Sequence, residues 1–387
     1  MAVIEAARIT RAPLLTLSAV GINWGALASF MPDIKAAVGA SDVEMGAALL
    51  APAFGSVLAM SVAPRYGRAL AGWALPLAGI GIAVAVSLPA FPGTVAALAL
   101  ALFFTGFAVA LADMTANVRI AQLEARKGRH LQSVNHAAFS LFFGTTALGV
   151  AFARLAGLSH REVMPVLAVV ALGVILAGWD RRPLPPLDDE GDRARPATAP
   201  WGVVLLGGTI LFAGFIGENA TEAWSALHIE RTIGGAPGEG SFGPALLGFV
   251  MFGGRLGGQV LAARIGETRM ILASAVLAAL GALVIAAAPT KAVVLAGVAV
   301  LALGVAVIVP ATNSILGRAV SDAARPAVIA RAWMMGLVGF FVGPAMMGGL
   351  AELWSLRVSF MAVALLVLLI VPATVKLSAR APAHGHR

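Results

Sequence analysis

Apolar segments of membrane-spanning length recur along the whole chain, and no other feature limits the fold as much. Twelve are read at 14–31, 43–62, 70–88, 94–117, 133–156, 162–179, 202–226, 244–263, 269–288, 292–315, 331–352 and 357–377. A helix needs about 20 apolar residues to cross the hydrocarbon core of a bilayer. The chain has 387 residues, of which 59% are hydrophobic and 12% charged. A soluble chain of this size needs a charged surface about twice as rich. The pattern therefore predicts an all-α membrane protein with twelve transmembrane helices, and excludes an ordinary soluble enzyme. The 44 glycines suit helices that approach closely in lipid, where small residues allow van der Waals contact.

The basic residues orient the spans. With the N-terminus inside, the outer segments carry Lys35, Arg154, Arg161, Arg231, Lys291 and Arg357. Arg255 falls within a span, and the rest of the 27 Lys and Arg fall in inner segments. Short cytoplasmic loops are enriched in Lys and Arg. An even span count with both termini cytoplasmic follows, in a multi-pass inner-membrane protein. Arg8 and Arg11 precede the first span and a second follows closely, so no cleaved signal peptide is expected. A net charge of +8 belongs to these loops rather than to nucleic-acid binding.

The longest polar stretch, Asp180 to Pro200, combines Pro183, Pro185 and Pro186 with the acidic run Asp188-Asp189-Glu190. It reads as a charged linker. The expected organisation is a six-helix bundle over 1–180, a cytoplasmic linker over 181–200, and a second six-helix bundle with a short tail over 201–387.

Each half carries an Arg-x-Gly pattern at the inner end of its second span. The first is Arg65-Tyr66-Gly67-Arg68 and the second Arg264-Ile265-Gly266. Both read as tight turns, for which glycine supplies the conformational freedom. A plain basic loop is the alternative. With the two six-span halves, this pattern resembles the major facilitator superfamily of secondary transporters. The family signature is Gly-x-x-x-Asp-Arg/Lys-x-Gly-Arg-Arg/Lys. Arg65, Gly67 and Arg68 match it, while Met60 and Pro64 replace its first glycine and its aspartate. Arg264 and Gly266 match in the second copy, where Ala263 replaces the aspartate. Gly106-Phe107, Asp113 to Val118, Asn135 to Leu141, and Gly217-Glu218 through Trp224-Ser225 resemble the bacterial branch near the fucose permease. The resemblance implies the major facilitator fold, alternating access, symport and no cofactor, with Arg65, Gly67, Arg68, Arg264 and Gly266 as candidate gating-loop residues.

Ionisable groups inside spans are expensive unless they face water or a partner. Asp113 and Asn117 stand one turn apart in the fourth span, on one face. Asp113 is a candidate proton carrier, or a structural acid that pairs with Arg119. Glu218 and Glu222 share a face of the seventh span, a spacing at which one carboxylate tends to be protonated. That suits proton coupling or a cationic substrate. Arg255 is the charge available to counter one of them, or to hold an anionic solute. His136 titrates near neutral pH when unperturbed. Asn23, Trp24, Asn135, Asn219, Trp224 and Asn313 are candidate substrate contacts, with packing as the alternative for the tryptophans.

The sequence lacks a phosphate-binding GxxxxGK[ST] loop, an HExxH pair and any cysteine. His384 and His386 sit in a short tail and read as incidental, so no metal is expected. The expectation is a non-enzymatic, ion-driven carrier of a small solute, proton-coupled, working as a monomer in lipid. Efflux of an amphipathic or drug-like compound is one alternative, and a non-transporting polytopic receptor or scaffold is another.

Overall fold

The structure, a computed structural model, describes residues 2–128, 131–182, 200–321 and 324–380. Most of the proline-rich linker and the tail with His384 and His386 lie outside the described residues.

The chain is helical throughout, with no strand among the described residues. The first half holds α1 (Ala2–Ile9), α2 (Arg11–Ala37), α3 (Asp42–Ala48), α4 (Ala51–Leu70), α5 (Ala74–Ser87), α6 (Val95–Lys127), α7 (Gln132–Leu155) and α8 (His160–Ala177). The second holds α9 (Trp201–Leu227), α10 (Phe242–Ile265), α11 (Glu267–Ala287), α12 (Lys291–Val305), α13 (Ile308–Arg318), α14 (Arg325–Leu353), α15 (Leu356–Leu368) and α16 (Ile370–Ser378). Ten stretches among the described residues are long and apolar enough to cross a bilayer. One of them, Asp42–Ala90, is 49 residues long, about twice the need, and is broken where Ala71 takes φ 45°. The 24-residue α10 is a further apolar helix outside the ten. Twelve crossings are compatible with this arrangement.

Proline explains the other breaks. It has no N–H to give the carbonyl four residues back, and its ring clashes there. Pro52 follows the α3–α4 break, Pro310 the α12–α13 break and Pro372 the α15–α16 break; α3 ends at Ala48 and α15 at Leu368, each four residues before its proline.

One sequence expectation is corrected here. Arg65, Gly67 and Arg68 do not form a turn, because α4 runs through them to Leu70 with Gly67 in helical conformation. A glycine in a helix costs only about 1 kcal/mol relative to alanine. The break falls at Ala71–Trp73 instead, where Tyr66 Oη donates to the Ala74 carbonyl at 2.8 Å. The second copy behaves as read: α10 stops at Ile265 and Gly266 takes φ 81°.

Within the first half, α2 packs along α7 and α4 along α6; within the second, α9 packs along α14 and α11 on α12. Between the halves α2 meets α9, α7 meets α10 and α3 meets α14. Small residues permit these approaches. A Cβ on Gly106 would sit 2.2 Å from the Pro52 carbonyl oxygen, and one on Gly248 would sit 2.6 Å from the Gly144 backbone. Large apolar side chains such as Phe54, Leu100, Val169 and Leu365 are exposed on the outside of the helices. In lipid that is the stable surface, since away from its ends a helix pairs its backbone polar groups internally.

Candidate functional site

The second half contributes α9, whose apolar run is interrupted by Glu218, Asn219 and Glu222. The i, i+4 spacing puts both carboxylates on one face. Neighbouring helices then give the two acids different surroundings.

Glu218 has a partner. Arg255 on α10 donates from Nη2 to Glu218 Oε1 at 2.9 Å, and both side chains are largely buried. The same guanidinium reaches the first half of the chain. Nη1 donates to Ser140 Oγ at 2.6 Å and to the His136 carbonyl at 3.3 Å, both on α7. Its Cζ lies 5.7 Å from the Phe139 ring centroid.

From His136 the polar contacts continue. His136 Nε2 lies 2.8 Å from Gln132 Nε2, whose amide also donates to Asn117 Oδ1 at 2.5 Å. Asn117 Nδ2 in turn donates to Asp113 Oδ2 at 3.0 Å. Asp113, Asn117, His136, Arg255 and Glu218 thus lie on one polar path through α6, α7, α10 and α9. Gln132 and Ser140, which the sequence did not single out, close its gaps. Asp113 does not pair with Arg119, which reaches Asp180 at 3.0 Å instead.

Glu222 has no such partner. It is buried, and no hydrogen bond or ion pair among the described residues reaches its carboxylate. It lines two adjoining cavities. The larger is lined by Trp24, Leu27, Ala28 and Met31 of α2, Asn219, Glu222 and Ala223 of α9, and Phe340, Phe341 and Pro344 of α14, together with Leu49 and Pro52. The smaller lies between Glu222, Glu218, Arg255, Ser140 and Phe143. Glu222 stands between the cavity and the charged path.

The remaining candidates are placed elsewhere. Trp224 is fully buried and its Nε1 donates to the Pro344 carbonyl at 3.1 Å, so it packs α9 on α14 and does not line either cavity. Asn135 donates to Thr10 Oγ1 at 3.1 Å, against the N-terminal end of α2. Asn313 accepts from Trp333 Nε1 at 2.9 Å. Asn23 is buried beside Trp24 with its Nδ2 unpaired and lines neither cavity.

A second cluster closes the end of the bundle that the charge bias puts outside. Arg154, at the end of α7, donates to both carboxylate oxygens of Asp33 on α2 (2.8 and 2.5 Å). It also donates to both of Glu230, in the π-helical turn after α9 (2.6 and 3.0 Å), and to Ser241 Oγ at 3.1 Å. Nearby, Arg231 pairs with Asp42 at 2.6 Å, and the Asp42 N–H donates to Glu352 Oε2 at 2.8 Å. These bonds join the two halves. In the adjoining loop the Lys291 ammonium donates to Glu239 and holds that carboxyl below its ordinary range. The available signal for Arg154 was an arginine at the end of an apolar span with no acid nearby in sequence.

Residues 227–386 match the family model described as Major Facilitator Superfamily. The chain is 29% identical over 365 residues to an uncharacterized MFS-type transporter of Yersinia pestis, covering 93% of this chain and 92% of that protein. Among solved structures it is similar to a bacterial homolog of the human lysosomal transporter Spinster in an inward-facing, unoccupied conformation. That likeness has a TM-score of 0.72, with 15% identity and 97% of each chain covered. It is also similar to a D-xylose-proton symporter, with TM-score 0.71, 15% identity, and 96% of this chain and 98% of that one covered. The fold is that of the major facilitator transporters, and the sequence matches support a place in that superfamily.

Proposed function

We propose that this protein is a proton-coupled secondary active transporter of a small solute, working by alternating access across the inner membrane with both termini in the cytoplasm. Its parts are two six-helix bundles, 1–180 and 201–387, that rock about the cavity, joined by the 181–200 linker. The observation that carries this reading is the position of Arg255. One guanidinium group holds Glu218 beside the cavity and also holds Ser140 and the His136 carbonyl on the other half. A proton taken up by Glu218 removes the charge that fixes Arg255, which loosens a contact between the halves. Protonation and rearrangement are then coupled through one side chain, as a two-state element requires.

Asp113 stands at the far end of the same polar path and serves as the second proton-handling group. The stretches around Asp113 and Asn135 resemble the bacterial branch near the fucose permease, and a place in that branch is part of this reading. The structurally similar symporter, named for D-xylose and protons, is in keeping with a proton as coupling ion. The protein works as a monomer in this reading, with solute, proton and lipid as its partners.

Reconstitution in proteoliposomes under an imposed pH gradient tests the proposal. The expected result is gradient-driven accumulation of at least one solute by the full chain, lost in Glu218→Gln and Asp113→Asn. Unchanged accumulation in both variants overturns the proton assignment. No movement of any panel solute overturns the transporter reading.

A further inference from the structure

We infer that the larger cavity takes a small organic cation, a protonated amine on an apolar or aromatic body, with Glu222 as its counter-ion. This names the substrate class of the transport site and rests on the transporter reading for its physiological meaning. The charge balance comes first. Glu218 is matched by Arg255 at 2.9 Å, while Glu222, one turn further on, has no hydrogen bond or ion pair among the described residues. Of the two acids only Glu218 is in ion-pair contact with the arginine, and the other, Glu222, lines the larger cavity. A buried carboxyl with no ion-pair partner is held as the neutral acid or met by a cation, and an ammonium group entering the cavity is such a cation.

The rest of the lining selects the body of the ligand. No Lys, Arg or His belongs to it. The rings of Trp24, Phe340 and Phe341 do, with Trp24 and Phe340 edge-to-face at a centroid distance of 6.0 Å. Aromatic faces attract cations, and Asn219 adds a carbonyl acceptor beside Glu222. A sugar is a poor match. Apart from the Trp24 indole, Asn219 and Glu222 are the only polar side chains in the described lining, so most hydroxyls of a polyol would be buried unpaired. A single ammonium has few donors, and this lining can satisfy them.

The test uses the full chain in lipid nanodiscs near pH 7, where alkylammonium probes are charged. Methylammonium to phenethylammonium form the cationic series, 2-phenylethanol is the neutral isostere of the last member, and D-xylose is the polyol. Tryptophan fluorescence and thermal shift both report binding. The expected result is phenethylammonium binding roughly tenfold or more tighter than 2-phenylethanol. Glu222→Gln should remove that preference, while Glu222→Asp, which keeps a carboxylate, should retain part of it. Equal binding of amine and alcohol, a preference that survives Glu222→Gln, tighter binding of xylose, or no binding across the cationic series overturns the inference. Counterflow in proteoliposomes separates the two readings. Amine binding that depends on Glu222, with no panel solute moved, overturns the transporter and leaves the cation site. Transport of some solute by a chain that binds amine and alcohol equally does the reverse.

Discussion

Arg255 and Glu218 form a buried ion pair at 2.9 Å whose guanidinium also crosses to the other half of the chain. Removing one partner of such a pair leaves the other uncompensated, at a cost of roughly 3–5 kcal/mol. Arg255→Ala is therefore expected to lower thermal stability in detergent strongly. Replacing both with neutral amides, Glu218→Gln with Arg255→Gln, removes the stranded charge and should recover much of the loss. A double-mutant cycle on melting temperatures checks this. Additive losses in the cycle would mean that the two residues do not act as a pair.

Arg154 ties Asp33 of the first half to Glu230 of the second, and its side chain is only 2% exposed. Lysine cannot reproduce the paired donors that reach both carboxylates. Arg154→Ala and Arg154→Lys are both expected to weaken closure at the outer end. The native chain has no cysteine, which gives a clean background for a single thiol at the cavity, such as Ala28→Cys. Labelling from outside by a membrane-impermeant maleimide should rise by about tenfold in Arg154→Ala, the change in open population that about 1.4 kcal/mol produces. An unchanged labelling rate would remove Arg154 from the closure.

The periodic apolar segments made the helical membrane fold legible, because span length is set by bilayer thickness and not by tertiary context. Glu218, Glu222 and Arg255 were legible for a related reason: a charge inside a span has to face something. Arg154 was read as an ordinary outer basic residue. Its acids lie 121 and 76 residues away, and no local pattern carries such a contact. Trp24 and Trp224 have the same local signature of an aromatic in a polar-flecked span. Only packing separates them, one on the cavity wall and one fully buried. The turn expected at Gly67 failed because glycine permits a turn but does not require one, and α4 gains a further hydrogen-bonded turn by continuing.

Gly106 sits where α6 crosses α4, with the Pro52 carbonyl 2.2 Å from the position of an added Cβ. Backbone atoms cannot move aside as a flexible side chain can. Gly106→Ala is expected to destabilise by about 1–3 kcal/mol, the usual cost of overpacking, and Gly106→Val more. Thermal melting of the purified variants measures both. A neutral Gly106→Ala would show that the α4–α6 crossing has slack.

Trp24 and Trp224 allow a direct comparison. Trp24 lines the cavity, so Trp24→Ala should weaken binding of any solute held there while leaving folding intact. Trp224 fills the α9–α14 contact and donates to the Pro344 carbonyl. Trp224→Phe keeps most of the ring volume and loses one buried hydrogen bond. The expected cost is about 1–3 kcal/mol in stability, the penalty for leaving a buried group unpaired, with little change in solute affinity. Isothermal titration and thermal melting on the same two variants separate affinity from stability. If Trp224→Phe lowers affinity as much as Trp24→Ala does, the cavity extends behind Trp224 and its boundary on α9 has to be redrawn.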